Sequence, residues 1–164
     1  MNNKIIDGKL ISSEIREKVK KFGDLLKSKT GKVPGLAVVL VGENPASRVY
    51  VKNKIEKTIE VGFNSIEHKL SEKVSEKELI DLVDKLNNDE NVQGILVQLP
   101  LPEHVNSDKI LDRIKPEKDV DGFHANNVGK LWSGLNSLVP CTPVGCSILI
   151  KKISKDLSGK HAVI

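Results

Sequence analysis

The sequence predicts an α/β fold of three layers, in which a parallel β-sheet is covered by helices on both faces. Two short apolar runs at 35–41 and 94–97 carry no polar alternation, which favours strands buried on both sides. Segments with the apolar spacing of helices follow the predicted strands, so that strand and helix alternate three times after a first helix. Such alternation is typical of parallel sheets whose strands are joined by helical crossovers.

The first half of the chain is predicted to contain two helices and two strands. The first helix covers 12–31, starting at a pair of serines and ending at a glycine. The second helix runs from 44 to about 62, because Asn44 offers a capping side chain and Pro45 suits the first helical position. A second strand is predicted at 63–70, since apolar and polar residues alternate there. The residues that the spacing places towards the core are Ile11, Ile15, Val19, Phe22 and Leu26, then Val51, Ile55 and Ile59, and in the strand Ile66, His68 and Leu70.

Two further helices are predicted on either side of the strand at 94–97. Ser75 caps the third helix, and Ser107 caps the fourth, a short helix that Pro116 ends. Their predicted core residues share helical spacing and are Leu79, Leu82, Val83 and Leu86 in the third helix, and Ile110, Leu111 and Ile114 in the fourth. Residues 129–140 are rich in glycine, serine and asparagine, so we interpret them as a connector.

The C-terminal part is predicted to begin a second unit. Thr142 and Pro143 favour the start of another helix. The predicted inward-facing residues of this helix are Ile148, Leu149 and Ile153. The segment 159–164 is predicted to begin a strand, and the chain stops inside it. In doubly wound folds the turn after such a strand holds a glycine-rich phosphate loop, which this sequence does not contain.

Composition and charge narrow the function classes. The 164 residues suffice for one core of ordinary size, and 38% apolar with 29% charged residues is typical of a globular domain. The net charge of +4 is too small and too dispersed to indicate nucleic-acid binding, although it favours an acidic small molecule. No apolar run approaches the roughly 18 residues of a membrane span, and residues 1–4 do not begin a signal peptide. Cys141 and Cys146 lack the spacing partners of a zinc site, so we expect reduced thiols, a cytoplasmic location and no metal.

One cluster of candidate catalytic residues is predicted at the carboxyl ends of the strands, where open parallel sheets bind ligands. Gln98 directly follows the strand at 94–97 and can orient a substrate or a catalytic group without titrating. Ser47, Tyr50 and Lys54 share one face of the second helix, whose first turns lie beside that end of the sheet. A lysine held between a phenol and an amide can act as an acid or base near neutrality. If each signal is considered alone, the simpler interpretation of Lys54 is a solvated helix lysine. The simpler interpretation of Gln98 is the end of a strand before a proline-rich turn.

Two later segments carry weaker signals. Asp121, followed by Gly122, offers a projecting carboxylate that could accept paired N–H donors from a heterocycle, and an ordinary Asp-Gly turn is the simpler alternative. Segment 140–145 (PCTPVG) is either a hinge and cofactor-side wall between two domains or simply a helix cap. Asp119 and the four histidines have no convincing metal-ligand spacing, so the residues alone leave the chemistry of these segments open.

Five short segments occur in an order that resembles the bifunctional methylenetetrahydrofolate dehydrogenase/methenyltetrahydrofolate cyclohydrolase family. They are 41–47 (with VG and PAS), 50–54 (YVKNK), 94–102 (GILVQLPLP), 118–123 (KDVDGF) and 140–145 (PCTPVG), preceded by IDGK at 6–9. Each motif is weak alone, but their succession is highly specific, and the resemblance covers essentially the whole chain.

The resemblance implies a two-step folate enzyme of one-carbon metabolism, on which purine, methionine and histidine biosynthesis draw. Family members oxidise 5,10-methylenetetrahydrofolate with NADP, or NAD in some members, and hydrolyse the methenyl product to 10-formyltetrahydrofolate without a metal. Lys54 matches the catalytic lysine, needed above all for hydrolysis, Tyr50 the tyrosine that stacks on the folate, and Gln98 the glutamine that bonds the lysine. The other site residues that the resemblance assigns are Asp121 on the pterin ring, Ser47 and Pro100 in the substrate site, and Thr142 and Pro143 on the cofactor side.

The resemblance also implies a domain division. Residues 1–140 would form the folate-binding catalytic domain, and 141–164 the first helix and strand of a Rossmann-type NADP-binding domain. We therefore expect a piece of a longer enzyme, homodimeric when intact, or a truncated gene product. The alternative is a folate-binding remnant without dehydrogenase activity, which the missing phosphate loop favours. No feature favours a non-enzymatic interaction module, because no basic helix face carries interleaved aromatic residues.

Overall fold

The computed structural model describes residues 5–163 of the chain. Along these residues the elements are α1 (Gly8–Thr30), β1 (Gly35–Val41), α2 (Pro45–Glu60), β2 (Asn64–Leu70), α3 (Glu76–Asn88), β3 (Gly94–Val97), α4 (Ser107–Arg113), α5 (Ala125–Trp132) and α6 (Cys141–Ile153). Two expectations fall partly outside the described residues: the lack of a signal peptide rests on residues 1–4, and the predicted C-terminal strand includes Ile164.

The three strands form a parallel sheet in the order β2-β1-β3. The central strand β1 pairs with β2 along all 7 of its residues and with β3 along the 4 residues of that shorter strand. An isolated parallel bridge between Ile95 and Asp119 extends the pairing on the far side of β3. The predicted parallel sheet and its alternation with helices are confirmed.

Two apolar clusters cover the two faces of the sheet. Alternate residues of β1 pack on α3 and α4 on one face and on α2 on the other, because successive side chains of a strand point to opposite sides. The buried residues of the first face include Val39, Val41, Val97, Leu79, Val83 and Ile110, and those of the second are Val38, Leu40, Val51 and Leu96. The structure therefore has the three layers that the continuous apolar strands predict.

Side-chain caps begin several helices where the sequence indicates them, with two shifts. The Asn44 carboxamide accepts from the backbone N–H of Ser47 at 3.1 Å, and Ser75 forms a reciprocal capping box with Glu78. The predicted start of the first helix at 12 is wrong, because Asp7 caps it and the helix begins at Gly8. The predicted cap of the fourth helix is wrong by one residue, because Asn106 caps α4.

The predicted apolar stripe of α1 is mostly uncovered. Only Ile11 is buried, whereas Phe22 is 73% exposed. Helix α1 meets the rest of the chain along another side, where Arg16 pairs with Glu60 at 2.8 Å and a Cβ at Gly23 would lie 2.5 Å from the Phe63 ring. The core assignments of Ile15 and Leu26 are wrong for the same reason, since both are exposed.

The core assignment of Ile59 in α2 is also wrong. Ile59 is exposed, and Thr58 is buried in its place. Thr58 lies seven residues after the buried Val51, almost two whole turns, whereas an eighth residue is rotated by a further ~100°. At Thr58 the hydroxyl donates to the carbonyl of Lys54 at 2.8 Å, which satisfies the buried oxygen.

The C-terminal part differs most from the prediction. The first four residues of the predicted connector, 129–132, belong to helix α5, which the His124 ring caps, and only 133–140 connect it to α6. Helix α6 begins at Cys141 without a side-chain cap, so Thr142 is not its cap, and Ile153 is exposed. The predicted strand is not formed over 159–163, which are exposed and have no neighbouring strand to accept their hydrogen bonds in the described chain.

Among residues 5–163 no helix combines the length and the hydropathy that a membrane span requires.

Candidate active site

The candidate site lies where β1 and β3 end and α2 begins. Gln98 follows the last residue of β3, and its backbone N–H still donates to the Val39 carbonyl at 2.9 Å. Gln98 is two residues beyond Leu96, which packs on α2. Because side chains alternate along a strand, Gln98 faces the same layer as Leu96. The strand thus delivers an amide to the flank of α2.

The structure joins Lys54 and Gln98 directly. The Lys54 ammonium donates to Gln98 Oε1 at 3.0 Å, and Gln98 Nε2 donates to the carbonyl of Leu99 at 2.7 Å. The second bond orients the amide, so that its oxygen faces the lysine. Both side chains are partly buried, and together they connect α2 to the end of the sheet. The proximity predicted for this pair is present, while their catalytic roles stay predictions.

Ser47 and Tyr50 differ sharply in exposure. Ser47 is buried in the first turn of α2, whereas Tyr50 is 61% exposed. In residues 5–163 no hydrogen bond joins either side chain to Lys54. Tyr50 lies one turn before Lys54, so its ring is available to a planar ligand beside the ammonium. The structure therefore places the exposed Tyr50 one helical turn from the partly buried Lys54, while Ser47 is buried in the turn before.

Asp121 brings a carboxylate to the same region. Its side chain is partly buried, and this burial raises its pKa above the ordinary value of 3.8. The nearby Lys54 ammonium opposes the increase in pKa, and the Asp119 carboxylate adds to it. The Lys54 ammonium therefore lies near enough to the Asp121 carboxylate to favour its charged form.

Asp119 belongs to a buried network that the sequence reasoning missed. It is 2% exposed, and its carboxylate accepts from the backbone N–H groups of Gly122 at 3.1 Å and His124 at 2.9 Å. The Asn127 carboxamide donates to the same carboxylate at 2.9 Å and to the carbonyl of Pro116 at 2.8 Å. Asn127 lies in α5, which the sequence did not indicate, so no signal linked the two residues.

The remaining predicted residues lie in the turn after Gln98 and at the start of α6. Pro100 is exposed two residues beyond Gln98 and follows a cis peptide bond. Thr142 and Pro143 are exposed in the first turn of α6. Cys141 Sγ lies 3.8 Å from the carbonyl of Val120, which places the start of α6 beside Asp121. In the described part of the chain, no three His, Cys, Asp or Glu side chains group to hold a metal ion.

A groove with an apolar lining lies away from this site. It has a volume of about 620 Å³ and lies on the other flank of α2, against β2. Its lining includes Leu40, Val49 and Ile55, but not Lys54 or Gln98. We place the candidate site at Lys54, Gln98 and Asp121, because the hydrogen bond between the first two and the raised pKa of Asp121 lie there.

A family model described as "Tetrahydrofolate dehydrogenase/cyclohydrolase, catalytic domain" matches residues 6–121. The match contains Ser47, Tyr50, Lys54, Gln98 and Asp121, and ends before α5. It covers more than two thirds of the chain.

Similar proteins share a common description. A bifunctional protein FolD 2 from Roseobacter denitrificans is 53% identical over 160 residues, which are 98% of this chain and 53% of that protein. A bifunctional protein FolD from Streptococcus agalactiae is 51% identical over 98% of this chain and 56% of its own length. The chain therefore spans about half the length of the curated relatives it matches.

Solved structures agree with the fold. A bifunctional FolD methylenetetrahydrofolate dehydrogenase/cyclohydrolase from Campylobacter jejuni superposes with a TM-score of 0.91 at 49% identity, covering 94% of this chain and 55% of that one. A dehydrogenase-cyclohydrolase from Trypanosoma brucei, complexed with NADP cofactor and inhibitor, has a TM-score of 0.86 at 32% identity, covering 93% of this chain and 52% of that one.

Proposed function

This chain belongs to the tetrahydrofolate dehydrogenase/cyclohydrolase family, and from that premise we propose that it carries the folate-side catalytic site of a bifunctional enzyme. The enzyme oxidises 5,10-methylenetetrahydrofolate to 5,10-methenyltetrahydrofolate with NADP and hydrolyses the product to 10-formyltetrahydrofolate. The observation that carries this proposal is the 3.0 Å hydrogen bond from Lys54 to Gln98. It holds a proton-transferring group at the end of the sheet, where ligands bind in such folds.

Hydrolysis of the methenyl group depends on proton transfer and needs little further activation of the carbon that water attacks. The methenyl carbon is already cationic in character, so water can attack it directly. Water then loses a proton, and a ring nitrogen gains one as its bond to that carbon breaks. Lys54, oriented by Gln98, is placed to carry these protons between oxygen and nitrogen. Because Gln98 does not titrate, it orients the lysine without competing for the proton.

Tyr50 and Asp121 supply binding and orientation. The exposed Tyr50 ring can stack on the folate one helical turn from the lysine. The Asp121 carboxylate can accept N–H donors of the pterin ring, and its partial burial shields those bonds from water. Ser47 and Pro100 complete the proposed substrate site, Ser47 from the first turn of α2 and Pro100 from the exposed turn after Gln98.

Two residues at the start of α6 are proposed to face the NADP cofactor. Thr142 and Pro143 are exposed at the start of α6, which suits a wall facing the cofactor. The glycine-rich phosphate loop that the family resemblance implies does not occur in these 164 residues. When bound, NADP would accept the hydride from the folate. We propose the folate-binding domain at 1–140 and the start of an NADP-binding domain at 141–164, in a cytoplasmic and homodimeric enzyme.

The second candidate is a folate-binding chain without dehydrogenase activity, because these 164 residues contain no glycine-rich phosphate loop. Two measurements on the purified 164-residue chain separate the possibilities. The first is the decay of methenyltetrahydrofolate absorbance, which we expect to exceed the buffer rate. The second is an NADP titration by calorimetry, in which we expect no binding. Decay no faster than in buffer would contradict a hydrolytic site carried by this chain, and tight NADP binding would contradict the second candidate.

A further inference from the structure

We propose that Asp119 is a positioning residue, which holds the Asp121 carboxylate in place for the substrate. The inference rests on the proposed function, because it concerns the folate-binding role of Asp121. Asp119 does not reach the surface itself, since it is 2% exposed. It acts through the short segment of chain that contains Asp121.

The Asp119 carboxylate fixes both sides of a tight turn. One oxygen accepts from the Gly122 N–H at 3.1 Å, and the other from the His124 N–H at 2.9 Å. Asp121 lies within the loop that these bonds close. Backbone donors at both positions restrict the φ and ψ angles of the turn, and therefore the direction in which the Asp121 side chain leaves it.

The network has anchors outside the turn. The parallel bridge to Ile95 ties the Asp119 backbone to β3. Asn127 connects the carboxylate to α5 at 2.9 Å, and the Ser137 hydroxyl donates to the Asn127 carbonyl at 2.8 Å. The turn is thus fastened to the sheet, to a helix and to the connector that follows it.

The space around Gly122 leaves the turn little freedom. Its φ is +68°, and a Cβ there would lie 2.9 Å from the carbonyl of Leu138 and 3.0 Å from the nitrogen of Pro140. A displaced turn would meet this backbone. Asp119 therefore selects one turn geometry, and the neighbouring chain excludes others.

The hydrogen-bond partners of the Asp119 carboxylate in the described chain are N–H groups of neutral residues. None of the ion pairs among residues 5–163 includes it. Both carboxylate oxygens act as acceptors: one accepts from the Gly122 N–H, and the other accepts from the His124 N–H and the Asn127 carboxamide. An amide offers only one acceptor, so Asp119→Asn leaves an N–H facing an N–H at one side of the turn.

The test is a double-variant cycle read by the affinity for 5-formyltetrahydrofolate, a stable reduced folate. We expect Asp121→Asn to weaken binding about tenfold and Asp119→Asn about fivefold, each consistent with the loss of one or two buried hydrogen bonds. If Asp119 acts through Asp121, the double variant binds no more than about twofold worse than Asp121→Asn alone. The exposed Asp112 provides the matched control, because Asp112→Asn makes the same chemical change and should not alter affinity.

A ligand-free readout accompanies the cycle. Amide hydrogen exchange at Gly122 and His124 should become about tenfold faster in Asp119→Asn, while exchange in β1 is unchanged. If Asp119→Asn does not fold, Asn127→Ala enters the same cycle. It keeps the carboxylate and its backbone donors, and we expect a loss of about threefold.

Four results would overturn the inference. Unchanged exchange at Gly122 and His124 would show that Asp119 does not hold the turn. If Asp121→Asn weakens binding and Asp119→Asn does not, Asp119 does not act through Asp121. The same conclusion follows if both variants weaken binding and their losses multiply in the double variant. Unchanged affinity in both single variants, with binding intact, would reject the Asp121 role in the proposed function and this inference with it.

Discussion

Replacement of Lys54 by methionine tests the proposed catalytic role directly. The change removes the ammonium and keeps an unbranched side chain of similar length. We expect the rate of methenyltetrahydrofolate hydrolysis to fall about 10²–10⁴-fold, the usual contribution of a positioned acid or base. Folate affinity should change much less, because Tyr50 and Asp121 remain in place.

The cost in stability follows from the contacts of Lys54. Its side chain belongs to neither apolar cluster and makes one hydrogen bond, to Gln98 Oε1 at 3.0 Å. The partly buried Gln98 oxygen is left to water, so the loss should be about 1 kcal/mol. For a domain of this size, that lowers Tm by about 2–4 °C.

The assay compares the initial rates of absorbance decay of wild type, Lys54→Met and Lys52→Met, with Tm measured by circular dichroism. Lys52 lies on the same helix, and its side chain is 77% exposed, so its replacement should alter neither rate nor Tm. A Lys54→Met variant that hydrolyses at the wild-type rate would refute the assignment. A fall in Tm of more than about 10 °C would refute the claim that the lysine does not support the fold.

Three further predictions concern stability. Gly122→Ala should destabilise the chain by about 1–3 kcal/mol in urea unfolding, because a Cβ at φ +68° would press on the Leu138 carbonyl; an unchanged midpoint would contradict this. Leu79→Ala should cost about 2–5 kcal/mol, because Leu79 is fully buried; a smaller loss in the same measurement would show that the site collapses. Asp121 has a pKa raised in the folded state, so its contribution to stability is present below the ordinary value of 3.8 and is lost as pH rises through the raised value. The stability of wild type relative to Asp121→Asn should therefore fall as pH rises above the ordinary value of 3.8, and a rise with pH would contradict the direction.

The sheet and the Lys54–Gln98 pair could be predicted because both depend on short-range patterns. Apolar runs without alternation mark β1 and β3, and the Asn44-Pro45 pair marks the start of α2. Because the strands are parallel, their carboxyl ends lie at one edge of the sheet. Side chains alternate between the two faces of a strand, which places Gln98 on the α2 side. The proximity of Lys54 then follows from helical geometry.

Features that depend on what covers a surface could not be predicted. The spacing of Phe22 and its neighbours is that of a core-facing stripe, but α1 packs along another side. The strand expected at 159–164 has suitable residues, but over the described part, 159–163, no neighbouring strand pairs with it. The hydrogen-bond network of Asp119 could not be predicted either. It includes Asn127, which lies eight residues away in α5, a helix whose glycine and asparagines favour a loop.

The energies involved indicate that packing, more than the site's own hydrogen bond, places Gln98 beside Lys54. Val97 and Leu96 are buried on opposite faces of the sheet, and each contributes about 1.5–3 kcal/mol by that burial. Because the side-chain period of a strand is two, a one-residue shift of β3 would exchange these faces and turn Gln98 into the α3–α4 cluster. The Lys54–Gln98 bond is worth only about 1 kcal/mol, so it is a consequence of the register and does not set it. Removing the ammonium should therefore leave the amide where it is, which is why Lys54→Met separates the loss of proton transfer from the loss of the site.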